Sequence, residues 1–130
     1  MNDRTLWTWH VGAGLVILVL LGLHMTIMHL DATVGAFGVA GAKPIDWPSV
    51  LLRMKSLGFA FSYVALLGAA LYHGLYGLRN ILLELNPRPA LRATVSYGLL
   101  LLGFALFFFG TYVAVMAPAA AAGLRAGVGG

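Results

Sequence analysis

Twenty-six consecutive residues, Thr5 to Leu30, contain no Asp, Glu, Lys or Arg, and about 20 apolar residues are enough to carry a helix across a bilayer. Backbone in hydrocarbon has no water to satisfy its N–H and C=O groups, so only a helix or a closed barrel can cross. This run predicts helix I, over about 5–30. It is too long for the apolar region of a secretory signal and lacks a small-x-small cleavage site close behind it. Ser56 to Leu78 gives a second uncharged run, of 23 residues. It predicts helix II over about 50–85, with Ser49 to Lys55 as a short amphipathic approach from which Arg53 and Lys55 can snorkel. Asn86-Pro87-Arg88-Pro89 ends it, since proline lacks an N–H and constrains the residue before it. Helix III is expected over about 91–116, closed by Ala117-Pro118. Residues 117–130 then form an Ala/Gly-rich tail with a lone Arg125, too short and weakly apolar to span again. Phe107-Phe108-Phe109 faces several directions at helical spacing, which suits lipid contact and packing.

Composition agrees. Of the 130 residues, 61% are hydrophobic and only 9% charged, which excludes an ordinary soluble domain with a polar surface. The chain reads as one membrane domain, 1–130, with no room for a second soluble catalytic domain of usual size. The absence of cysteine rules out, within this chain, a disulfide, a thiolate nucleophile and a cysteine-held zinc or iron-sulfur site. A net charge of +4 does not mark a nucleic-acid binder, because the eight basic residues are scattered at segment ends. Phosphate-loop, Gly-x-Ser-x-Gly and His-Glu-x-x-His motifs are also absent.

Asp31 to Pro48, with Gly35, Gly38, Gly41, Pro44 and Pro48, predicts an extramembrane loop, with Trp47 as an interfacial anchor. Arg4 and the turn residues Arg79, Arg88 and Arg92 place the amino terminus in the cytoplasm by the positive-inside rule, opposed by Lys43, Arg53 and Lys55 at the other side.

Ionisable groups inside a membrane are costly and are functional candidates by default. His73 lies in Ala70-Leu71-Tyr72-His73-Gly74-Leu75-Tyr76-Gly77-Leu78-Arg79. Ala69 and Ala70 one turn before it and Gly77 one turn after leave its face nearly bare. Such clearance suits a flat macrocycle, and equally suits close helix packing. Arg79 is placed to meet a haem propionate or a lipid phosphate. On helix I, His24 lies about 22 Å beyond Trp9, in the outer half of a core about 30 Å thick. His73 lies about 16 Å in from Glu84, so the two imidazoles are at different depths. His10 shares a face with His24, about 40° apart around the helix and about 21 Å apart along it. Beside Trp9, it fits an interfacial or quinone-proximal role as well as haem ligation. His29, beside Asp31, reads as a solvated end residue, and Met25 and Met28 as packing.

The run from Tyr72-His73 through Gly77 and Glu84 to Pro87, then Arg92 and an apolar third helix, resembles the small membrane anchor subunit of succinate dehydrogenase (succinate:quinone oxidoreductase, complex II) and fumarate reductase. The resemblance covers helices II and III, while helix I matches in layout only. It implies an all-α membrane protein whose three transmembrane helices form half of a haem-binding bundle, completed by a second membrane anchor subunit. It implies that His73 is an axial ligand of haem b and, in relatives with two haems, that His24 holds the second. The partners implied are that second anchor, an iron-sulfur subunit and a flavoprotein subunit, with quinone as substrate, in the inner membrane of a prokaryote. Where the family often has an acidic residue followed by tyrosine, Glu84 is followed here by Leu85. The quinone must then use other groups, for which His10, Glu84 and Trp9 are the candidates, or groups of the partners. A cytochrome b subunit of a hydrogenase or formate dehydrogenase complex, and a haem-free structural subunit, are the alternative expectations.

Overall fold

The computed structural model describes residues 3–29 and 46–128. The described chain is helical throughout its regular elements: α1 (Asp3–His29), α2 (Trp47–Lys55), α3 (Leu57–Glu84) and α4 (Pro89–Val128). Three of them, α1, α3 and the Pro89–Met116 part of α4, are long and apolar enough to cross a membrane.

The expected helix over 50–85 is two helices. Ser56 takes extended dihedrals, φ −77 and ψ 123, at once ending α2 and starting α3, while its N–H bonds Arg53 O at 3.0 Å and its C=O accepts from Ala60 N at 2.9 Å. Pro48 sits in the first turn of α2, where its missing N–H costs nothing. The break lets α2 turn back and pack on α3 and α4. It also carries Arg53 to α1, where Nη2 donates to Met28 Sδ at 3.7 Å. Arg53 is therefore buried, 4% exposed, where snorkelling to water was expected; Lys55 is exposed.

At the other end, Asn86 joins α3 to α4 in the left-handed region, φ 49, which Asn tolerates better than most residues. Arg92 holds this turn, donating through Nε to Pro87 O and through Nη2 to Asn86 Oδ1. α4 does not stop at Ala117-Pro118 but runs on to Val128. Alanine is the strongest helix former, so the Ala119–Ala122 run favours continuation against the roughly 3 kcal/mol that a proline costs inside a helix. Outside the described residues lie most of the predicted Gly/Pro loop and the last two residues.

α3 is the middle element. It packs antiparallel against α1 on one flank and α4 on the other, and α1 and α4 make no backbone approach to each other among the described residues. The shielded side of α1 follows a 3–4 spacing, Leu6, His10, Ala13, Ile17, Leu20 and His24, which is one stripe of a helix. Hydrocarbon offers no hydrophobic force between helices, so close contact relies on small residues that admit a neighbour's side chain. Phe107 fills the space above Gly68, Leu75 that above Gly103 and Leu67 that above Gly110, where an added Cβ would lie 3.2, 2.9 and 2.6 Å from them. Of the three consecutive phenylalanines only Phe107 packs inward; Phe108 and Phe109 face out.

Candidate functional site

The same local pattern stands on two helices. Residues 10–14 read His-Val-Gly-Ala-Gly and residues 73–77 read His-Gly-Leu-Tyr-Gly, each a histidine followed by glycine one turn on. Because α1 and α3 run antiparallel, each histidine meets the other helix's glycine. A Cβ on Gly14 would lie 3.1 Å from His73 Cε1 and 3.2 Å from its Nδ1, and one on Gly77 would lie 3.4 Å from His10 Cε1. The two imidazoles stack between these glycines, with centroids 4.1 Å apart and planes 7° from parallel. The bare face at Gly77 is thus covered by His10.

Gly14 also fixes a proton. In a helix the His10 carbonyl already accepts from the N–H four residues on, which is that of Gly14, and has a second lone pair free. With no Cβ on Gly14, His73 reaches that carbonyl sideways, and Nδ1 stands 3.0 Å from His10 O. A carbonyl can only accept, so the proton is on Nδ1 and the lone pair is on Nε2. One turn earlier on α1, Tyr72 donates its hydroxyl to Leu6 O at 2.9 Å. Tyr76 tilts against His10, centroids 5.2 Å apart, and stacks on Tyr72 at 5.8 Å. His10 Nδ1 is sealed from solvent and finds no hydrogen-bond partner among the described residues.

The other predicted residues lie elsewhere. His24 is half-buried on the same stripe of α1, edge-on to Tyr63 at 5.8 Å, beside a cavity of about 130 Å³ that Phe59 and Ser62 also line. That is well below the roughly 300 Å³ at which small-molecule sites begin, so a macrocycle on His24 requires surface from another chain. Arg79 turns to the opposite flank of α3 from His73: Nε donates to Ser96 Oγ of α4 at 3.0 Å and Nη1 to Asn80 Oδ1 at 3.4 Å. Trp9 is 65% exposed, pointing away from the helix pack, and Glu84 and His29 are exposed at helix ends. No ring contact or hydrogen bond joins Trp9 or Glu84 to His10 among the described residues.

Does the pair fit haem? The donor set does, one ligand at a time. A metal-binding imidazole usually gives its other N–H to a carbonyl or carboxylate, which fixes the tautomer and ring orientation. His73 has that arrangement. Stacked rings, however, turn their faces and not their nitrogens toward each other, so they could not both hold a group placed between them. His10 and His73 would therefore not serve together as the two ligands of one haem; were His73 to hold one, any second ligand would come from elsewhere. Among the described residues there is no group of three or more His, Cys, Asp or Glu side chains able to hold a bare metal ion.

The sequence reading missed Gly14 and Tyr72. The signal was present in the repeated His-x-x-x-Gly, which becomes meaningful only when two helices are set antiparallel.

Fold and composition define a multi-pass, all-helical membrane protein with an inward-facing histidine pair on its first two spans. Comparison of the chain with known protein families, curated proteins and solved structures finds no match.

Proposed function

We propose that this chain is the haem b-binding membrane anchor of a quinone-linked redox complex, of the succinate dehydrogenase and fumarate reductase type. The observation that carries the reading is the 3.0 Å contact between His73 Nδ1 and His10 O, which leaves the Nε2 lone pair free to coordinate. Haem, when bound, supplies a one-electron relay between the iron-sulfur subunit and quinone. The chain's own residues hold the ligand ready: Gly14 admits the ring, the His10 carbonyl fixes its tautomer, and the His10 imidazole covers one face of it. A second anchor subunit provides the opposite ligand, and the exposed outer faces of α1 and α4 are where such a chain can pack. His24 is the proposed ligand of an outer haem, completed in the same way.

In this reading Arg4, Arg79, Arg88 and Arg92 share the cytoplasmic end, where the iron-sulfur and flavoprotein subunits dock. Trp9, Glu84 and His10 lie toward that end too. Trp9 and Glu84 face outward, so they contribute to a quinone site only together with a partner's surface. The choice of the succinate dehydrogenase type over another cytochrome b rests on the sequence resemblance alone. One observation favours a haem-free structural role: the His73 ring is already hydrogen-bonded to the His10 carbonyl and stacked on the His10 ring within the chain.

The deciding experiment is a pyridine haemochrome assay on the purified complex with His73→Gly. The haem held by His73 should be lost, leaving only that held by His24, and should return when imidazole is added, as expected if only the ligand is missing. Unchanged haem in His73→Gly, or no haem in the parent complex, overturns the proposal.

A further inference from the structure

Because α1 and α4 make no close backbone approach among the described residues, a cleft opens between them with α3 as its floor. Its volume is about 750 Å³, and α3 and α4 supply nearly all its lining, with Leu6 of α1 at one end. Most of the surface is aliphatic or aromatic, including Phe104, Phe107 and Leu75, which packs over Gly103. Leu100 and Phe104 on its rim are 53% and 54% exposed, so the cleft is open sideways to the surrounding lipid. Arg79 stands at one end beside Ser96. Its hydrogen-bond partners among the described residues, Ser96 and Asn80, are both neutral, so the guanidinium charge is not balanced by them.

From Arg79 to Gly68, the lining residues on α3 extend over about 16 Å at 1.5 Å per residue. Half of a hydrocarbon core about 30 Å thick is about 15 Å. The cleft thus runs the depth of one leaflet, starting from a cation near the helix end. Arg4, Arg88 and Arg92 lie at that same end, since α1 and α4 begin where α3 finishes, and such clusters concentrate anionic lipid. A quinone head is neutral and leaves the guanidinium unbalanced; a phosphate diester carries the matching charge and accepts from several guanidinium N–H groups.

We infer that this cleft is a binding site for an anionic glycerophospholipid, with its phosphate on Arg79 and one acyl chain laid along α3 toward Gly68. Tyr72 and Tyr76 line both this cleft and the surroundings of His10, but neither histidine lines the cleft and its cation is Arg79, so the inference does not rest on the haem reading.

The test uses the full chain, with any subunits that accompany it, in mild detergent and native mass spectrometry. The probes are phosphatidylglycerol, phosphatidylcholine of identical acyl chains, and a quinone with an isoprenoid tail. The parent should retain phosphatidylglycerol at least tenfold better than phosphatidylcholine. Arg79→Gln should abolish that preference and Arg79→Lys should keep part of it. Leu100→Trp, which fills the cleft and leaves the cation in place, should reduce phosphatidylglycerol retention severalfold. Equal retention of the two lipids by the parent, an undiminished preference in Arg79→Gln, or displacement of the lipid by quinone overturns the inference. Should Arg79→Gln lose helicity, Leu100→Trp decides: full retention there refutes the site.

Discussion

Gly14→Leu tests the histidine packing directly, and Gly12→Leu, two residues away on the same helix, is its control. A Cβ at Gly12 meets nothing within 4 Å, whereas one at Gly14 lies 3.1 Å from His73 Cε1, inside the 3.5–4.0 Å of ordinary carbon contact. Leucine at 14 forces α1 and α3 apart. That breaks the Tyr72 and His73 bonds to α1 carbonyls, each worth about 0.6 kcal/mol in membrane proteins. It also separates the stacked rings, worth about 0.5–1.5 kcal/mol, and incurs an overpacking strain of about 1–3 kcal/mol. Replacing glycine in a helix returns up to about 1 kcal/mol, and both variants share that gain. Gly14→Leu should therefore be about 3–6 kcal/mol less stable than Gly12→Leu. The milder Gly14→Ala asks only a few tenths of an ångström of the ring, so its strain and its propensity gain should nearly cancel. The assay is reversible SDS denaturation followed by far-UV circular dichroism. Equal midpoints for Gly14→Leu and Gly12→Leu would refute the argument that the His-Gly contacts set the α1–α3 distance.

Three further outcomes are expected. Tyr72→Phe removes only the hydroxyl bonded to Leu6 O, so the same SDS titration should show a loss of about 0.6 kcal/mol with unchanged helicity; a gain would mean the hydroxyl is not satisfied there. Nitrogen NMR of labelled histidine in the haem-free full chain should find His73 protonated at Nδ1 and bare at Nε2, and the opposite tautomer contradicts the bond to His10 O. Gly110→Ala places a Cβ 2.6 Å from Leu67 Cδ2, while the same change at Gly98 meets nothing; Gly110→Ala should be the less stable by about 1–3 kcal/mol, and parity would show that α4 stands further from α3.

How much of this was legible beforehand differs by feature. Runs without charge and clusters of proline and glycine act locally, because every residue in hydrocarbon must satisfy its backbone within its own helix. The number of apolar helices and their approximate places could therefore be read along the chain. Ser56 was harder. A single extended residue between two helix-forming segments has no compositional signature, and the return of α2 over the helix ends, which buries Arg53, follows from that one pair of dihedrals. The extension of α4 past Pro118 was likewise a balance between the cost of a proline and an alanine run.

For the site, the sequence alone identified His73 as a costly residue in a spanning helix, with small neighbours on its face. It could not say what those small neighbours clear space for. That depends on the antiparallel register of α1 and α3, a relation between residues more than sixty positions apart, which puts His10 over Gly77 and His73 against Gly14. The same register exposes the His10 carbonyl to His73 and so selects the tautomer. Arg79, close to His73 in sequence, was turned to the other flank by its place around the helix and by Ser96 of α4. Local chemistry determined which residues were worth watching; only the packing of three helices decided which atoms they meet.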